Sequence, residues 1–267
     1  MSVPGGLDAV DPRYRLLYEQ ALSVLNGDPR VRSVELAGSI AAGTADKWSD
    51  LDLHVVALVE DHDAFLGDWP SWLAAITPTV FARTPIAPFI LNTVTADGLA
   101  FDVAVFAGAE PEPATGSTYV VGSLSRRGFG TVGEALEYAV AEQLRGLAGP
   151  FISLIKREEH LRHLAGVPHL LGLLTTVFLA ETGAAPPGKH WNRTFTEEQR
   201  AAVAALPPAR ATRDDIMAFG LGLANLLITR ARPLYPRFDL TWPSDLASVA
   251  ATRLHDCLGV DAQGWLH

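Results

Sequence analysis

Apolar positions in the first part of the chain recur with two different periods. Leu16, Leu17, Ala21 and Leu25 follow helical spacing over residues 11–26, and Gly27-Asp28-Pro29 stops the run. Short β-type runs follow at residues 31–37, 51–58, 79–82, 89–95 and 99–106. A second helical stretch, residues 63–76, lies between the second and third of them. The order helix, strand, strand, helix, strand, strand, strand predicts a small mixed sheet with helices on one side.

After Gly108 the texture changes. Pro111, Pro113, Gly116 and Ser117 mark a turn-rich crossing, and residues 122–130 form a second Gly/Ser stretch carrying Arg126 and Arg127. Helical patterns then run over residues 132–147, 151–164, 168–181, 196–205, 213–231 and 243–257. Gly149-Pro150, Pro186-Pro187, Pro207-Pro208 and Pro233 punctuate them. The reading is an α/β (α+β) domain over residues 1–120 and an all-helical domain over residues 121–267. The longest apolar runs, residues 170–180 and 217–228, fall short of the ~20 residues that span a bilayer. Both are expected as buried helices, with no membrane partner.

Composition narrows the function classes. With 48% hydrophobic and 19% charged residues, the chain is neither disordered nor a small disulfide scaffold. Its net charge of −9 counts against DNA or long RNA as partner, while a negative field would favour a small basic one. The single cysteine, Cys257, cannot form an internal disulfide and is expected as a buried small hydrophobe. Residues 1–7 are neutral and Pro/Gly-rich, unlike a secretory leader, so the expected compartment is the cytoplasm. Oligomeric state is left open.

The chemistry concentrates in residues 36–53, Leu-Ala-Gly-Ser-Ile-Ala-Ala-Gly-Thr-Ala-Asp-Lys-Trp-Ser-Asp-Leu-Asp-Leu. A β-run ends at Gly38-Ser39, a loop follows, and the next strand opens with Asp50 and Asp52. Alternation puts both acids on one face, with Leu51 and Leu53 directed into the core. Gly38 permits close backbone approach to a phosphate, and Ser39 offers a hydroxyl beside it. In residues 99–106, Phe101, Val103 and Val105 share one face and leave Asp102 on the other. An acid inside an apolar strand is costly unless paired or metal-bound. Three such carboxylates at neighbouring strand ends would suit two Mg²⁺ ions.

Gly38-Ser39 followed by Ser49-Asp50-Leu51-Asp52-Leu53, with Asp102 on a later strand, resembles the DNA-polymerase-beta-like nucleotidyltransferase superfamily. The succession of α/β and helical domains is similar to the antibiotic nucleotidyltransferases that modify aminoglycosides or lincosamides. The likeness is by motif over about residues 20–110 and architectural beyond. It implies Mg²⁺-dependent transfer of a nucleoside monophosphate, AMP from ATP as the expected case, to a hydroxyl of a small acceptor, with pyrophosphate released. Asp50 and Asp52 would be metal ligands, and Asp102 a third ligand or the general base. Gly38 and Ser39 would hold the triphosphate, with Lys47 and Ser49 counted among the nucleotide contacts. Relatives often carry Arg where this chain has Ala42, a charge that Lys47 would partly replace. A helical-domain acid can also serve as base in such enzymes. Glu158 is that candidate here, because it falls on the apolar stripe of Phe151, Leu154, Ile155, Leu161 and Leu164. The cleft between the two halves is the expected acceptor site.

Other features carry weaker chemistry. Residues 183–189 fit the start of a Walker A pattern, but His190 stands where Ser or Thr should be, and two prolines stiffen the loop. His160 and His163 have metal-like spacing without a third ligand, so a solvated polar face is expected. His54 shares the face of Asp50 and Asp52, and Trp48 is placed to stack on a base or substrate. Two other functions compete: a nucleotidyltransferase acting on protein or RNA, of the antitoxin type, and a non-catalytic nucleotide-binding relative. The three intact acids favour the enzyme.

Overall fold

The alternating runs of the first half pair into one five-stranded sheet in the computed structural model, which describes residues 5–84, 90–108, 128–185 and 190–265. The chain divides into two units, Met1–Tyr119 and Val120–His267. In the first, α1 (Arg13–Leu25) leads into β1 (Val31–Leu36), a single turn α2 (Gly38–Ala41) and β2 (Leu51–Ala57). Then come α3 (His62–Gly67), α4 (Trp69–Ile76), β3 (Thr79–Arg83), β4 (Ile90–Thr95) and β5 (Ala100–Ala107). The expected helix over residues 63–76 is thus two helices. Asp68 ends the first and precedes the second, and Pro70 sits in the opening turn of α4, where its missing N–H is harmless. Trp72 keeps the two together by stacking on Phe65 and donating its Nε1–H to the Phe65 carbonyl at 3.1 Å.

Strand order is β1-β2-β5-β4-β3. Only the β2–β5 pair is parallel, so the sheet is mixed. Leu51, Leu53 and Val55 of β2 and Phe101, Val103 and Val105 of β5 are buried on one face in a common core with α1, α3 and α4. Each such side chain contributes about 1.5–3 kcal/mol by leaving water. Within α1 the buried stripe is Tyr14, Leu17, Tyr18, Ala21 and Leu25, whereas Leu16 is exposed. The tyrosines take the place that periodicity had given to Leu16.

The second unit is helical among its described residues. It comprises α5 (Val132–Ala148), α6 (Pro150–Lys156), α7 (His160–Thr182), α8 (Trp191–Thr194), α9 (Glu197–Ala204), α10 (Arg213–Ala231) and α11 (Ser244–Leu258). Thr131 and Glu134 close a capping box on α5, and Thr196 and Gln199 do the same on α9. Arg230 of α10 reaches Glu181 of α7 and Glu198 of α9, tying three helices. Cys257 is half-buried rather than fully buried.

One break falls elsewhere than expected. The helix read over residues 151–164 stops at Lys156, and the next runs unbroken through Pro168. Glu158 adopts φ 57°, its N–H donates to the Ile155 carbonyl, and the Glu159 N–H reaches back to Leu154 at 3.0 Å. This pair of backward bonds terminates α6 as a Schellman cap, with an acid in the left-handed position that usually holds glycine. Glu158 is therefore exposed in a turn, and the apolar-stripe argument that nominated it does not hold. The resulting α7 is 23 residues and, by length and composition, apolar enough to cross a bilayer. It is also a packing helix, burying His163, Leu173, Leu174, Val177, Phe178 and Ala180. The proline-rich crossing (109–127), Phe89 and residues 186–189, which include Lys189 of the Walker-like stretch, lie outside the described residues.

Because a left-handed non-glycine residue costs about 1–2 kcal/mol, Glu158→Gly is expected to raise the unfolding free energy by about 1 kcal/mol. Urea titration measures this. A destabilised variant would mean that the glutamate side chain stabilises the turn in some other way.

Candidate active site

The register of the parallel pair builds the site. Asp52 of β2 lies directly opposite Asp102 of β5, which is opposite Asn92 of β4. These three form a polar row on the face opposite Leu51, Leu53, Phe101 and Val103. Asn92 donates its side-chain N–H to Asp102 Oδ2 at 2.5 Å. Sequence reading missed Asn92; its one signal was an amide side chain beside Leu91 in a β-type run. One step further along the row, His54 meets the edge of Phe106, with ring centroids 5.0 Å apart.

Gly38 has the second decisive position. It opens α2 with φ +58°, and its Cα lies against the Asp52 carboxylate. A Cβ there would stand 1.9 Å from Asp52 Oδ2 and 2.8 Å from its carboxyl carbon. Both geometry and space thus demand glycine. The residue before it is tied to β2, since the Ala37 N–H donates to the Asp52 carbonyl at 2.9 Å. Gly38 is exposed and Ser39 half-buried, so this approach to Asp52 is open to solvent.

The intervening loop is organised by Asp46. Its Oδ1 accepts from the Trp48 N–H at 2.9 Å and the Ser49 hydroxyl at 3.2 Å, while Ser49 Oγ accepts from the Asp46 N–H at 3.0 Å. Ser49 is buried, and its hydroxyl serves this loop. Lys47 is exposed, with its ammonium 4.9 Å from the centre of the half-buried Trp48 ring. Asp50 precedes the strand rather than opening it, and is exposed.

Burial and the neighbouring charge of Asp50 push the Asp52 carboxyl up to about 6, and only His54 pulls the other way. No hydrogen bond among the described residues offsets that cost. An uncompensated, half-buried carboxylate beside a second acid is what a cation would relieve. Among the described residues, no three His, Cys, Asp or Glu side chains are grouped closely enough to hold an ion by themselves. The structure pairs Asp52 with Asp102 and brings Asp50 within electrostatic reach of Asp52. Hard oxygen donors of this kind fit Mg²⁺, which is commonly bound by one or two carboxylates plus substrate phosphates rather than by a protein cage.

The histidine pair of α7 is not the solvated face that its sequence suggested. His163 is buried, edge-on to Phe151 and Phe219, and desolvation lowers its pKa. Gly183 is the left-handed cap that ends α7, so the Walker-like stretch begins at a helix terminus.

No protein-family model and no curated protein matches the sequence. Among solved structures, an aminoglycoside 6-adenyltransferase from Bacillus subtilis aligns over 90% of this chain and 95% of its own, at 12% identity and a TM-score of 0.38. At that score the superposition carries no argument, and the functional reading rests on the residues above.

The raised Asp52 pKa has a definite consequence for stability. The folded chain holds this proton more tightly than an unfolded aspartic acid of pKa about 4, so stability falls as pH rises from about 4 to about 6. Above that window the charged form costs the fold about 1–3 kcal/mol, allowing for its partial solvation. In EDTA-containing buffer, Asp52→Asn is expected to be more stable than wild type at pH 8 by that amount. It should also lose the decline between the two pH values. Parallel stability curves for the two proteins would overturn this assignment of strain.

Proposed function

We propose that the N-terminal unit transfers a nucleoside monophosphate, AMP from ATP in the first instance, to a hydroxyl of a small molecule of the aminoglycoside or lincosamide class. One observation carries the reading: Asp52 and Asp102 lie side by side on parallel strands, with a side-chain-free Gly38 set against the Asp52 carboxylate. Two acids at this spacing, one without a hydrogen bond, are poorly suited to a structural role and well suited to phosphoryl chemistry. The acidic balance of the chain favours a cationic acceptor.

In this reading the backbone at Gly38 and the hydroxyl of Ser39 receive the triphosphate, and Lys47 lies in the same loop to meet its charge. Asp52 and Asp102, with Asp50, would hold Mg²⁺ arriving with the nucleotide, which supplies neutralisation of the phosphate charge. The acceptor oxygen attacks the α-phosphorus, the α–β anhydride bond breaks, and pyrophosphate leaves with the bonding pair. The hydroxyl proton would pass to a carboxylate; Asp102, if it does not ligate the metal, would take that role, with Asn92 restricting its rotation.

The test is mass spectrometry of purified protein with ATP, Mg²⁺ and a panel of aminoglycosides and lincosamides. An acceptor gaining AMP, with stoichiometric pyrophosphate, is the expected result. Asp52→Asn and Asp102→Asn should each lower the rate by ~10³-fold or more while remaining folded. Gly38→Ala, which displaces the Asp52 carboxylate, should cost ~10²-fold or more. Near-normal turnover in either acid variant removes the assignment.

A further inference from the structure

The helical unit contains a cavity of about 270 Å³ between α5, α6, α7 and α10. That is several times the ~30 Å³ share of one water molecule. Leu147, Phe151, Leu154, Leu170 and Leu173 give it an apolar wall. Gln143 and His163, each only 4% exposed, give it a polar one. Gln143 Oε1 and His163 Nε2 are both buried without a hydrogen-bond partner among the described residues. Unmet buried polar atoms are rare because each costs about what a lost hydrogen bond does, so two on one cavity wall require an occupant.

The chemistry of the wall selects among occupants. Glu142, also on the lining, has its Oε2 held by Arg145 at 3.0 and 3.1 Å, and the remaining charged lining residue, Arg162, is exposed to solvent. The His163 ring is fixed between Phe151 and Phe219, and its lowered pKa keeps it neutral. A neutral imidazole nitrogen can donate or accept, whereas Gln143 Oε1 only accepts. A hydroxyl meets both requirements, because it donates to the amide oxygen and pairs with the imidazole in either tautomer. An ammonium cannot accept, and a carboxylate would oppose Gln143 Oε1. We infer that this cavity is a binding site for a neutral, hydroxyl-bearing small molecule with an apolar body, anchored by Gln143 and His163. The site lies wholly in the helical unit and stands whether or not the N-terminal unit transfers nucleotides.

Gly146 lines the cavity, and a Cβ added to it would meet nothing within 4 Å. Gly146→Leu therefore fills the space from a helix interior, where leucine is also the better helix former. The experiment uses calorimetry and ligand-observed NMR on the full chain without ATP. The probes are 3-phenylpropan-1-ol, its hydrocarbon analogue butylbenzene, 3-phenylpropylamine and 3-phenylpropanoate. The alcohol is expected to bind about tenfold more tightly than the hydrocarbon, and to lose at least that factor in Gly146→Leu with the helical circular dichroism retained. Gln143→Leu and His163→Phe should bring alcohol and hydrocarbon to equal affinity. Asp52→Asn should leave alcohol binding unchanged, which separates this site from the transfer reaction. Overturning results are equal alcohol affinity in wild type and Gly146→Leu, a preference for the amine or the carboxylate, or no probe bound at all. The last would mean that the cavity holds only water.

Discussion

The parallel pairing of β2 with β5 sets Leu51 against Phe101 and Asp52 against Asp102 in the same register. A slip of β2 by one residue would turn Asp52 into the core and Leu51 and Leu53 into water, and would part Asp52 from Asp102. The large apolar side chains of this pair thus hold the two acids at neighbouring positions on the opposite face. Everything proposed for the first unit depends on that exchange. The hydrophobic face sets the register, and the register sets the acids.

The cost is concentrated rather than spread. Asp102 receives Asn92 from the neighbouring strand, while Asp52 is left half-buried beside Asp50 with its carboxyl pushed up to about 6. Gly38 is the structural counterpart of that strain. Only a residue without a side chain, in a left-handed conformation, can stand against the carboxylate. The Asp46 loop delivers the chain from Gly38 to the next strand with its own hydrogen bonds satisfied, so the strain does not relax through the loop.

The helical unit shows the same logic in another form. Its helices are capped by local signals at Thr131, Thr196 and Thr212, and packed through Leu, Phe and Ala. Gly220 lets Phe151 lean against α10, where a Cβ would come within 2.6 Å of the ring. That ring and Phe219 then enclose His163. Polar groups enter this interior at Glu142, Gln143 and His163, and among the described residues Gln143 Oε1 and His163 Nε2 have no hydrogen-bond partner.

How much of this was legible depended on how local the cause was. Alternation in residues 99–106 is enough to oppose Asp102 to Phe101, Val103 and Val105, because strand side chains change face at every residue. The helix over residues 213–231 was legible to its ends, since Thr212 caps it and its apolar positions recur throughout. The end of α6 was not. A proline at 168 signals a break more loudly than Glu158, yet the backward bonds to Leu154 and Ile155 and the burial of α7 on both sides of the proline decided otherwise. The place of Asn92 beside Asp102, the desolvation of Asp52 and the burial of His163 also lay beyond the sequence. Each depends on which distant segment becomes a neighbour, and hence on how much water is excluded. The sequence by itself determined which side chains share a face; only the tertiary structure decided what each face meets, because desolvation and pairing energies arise between segments far apart in the chain.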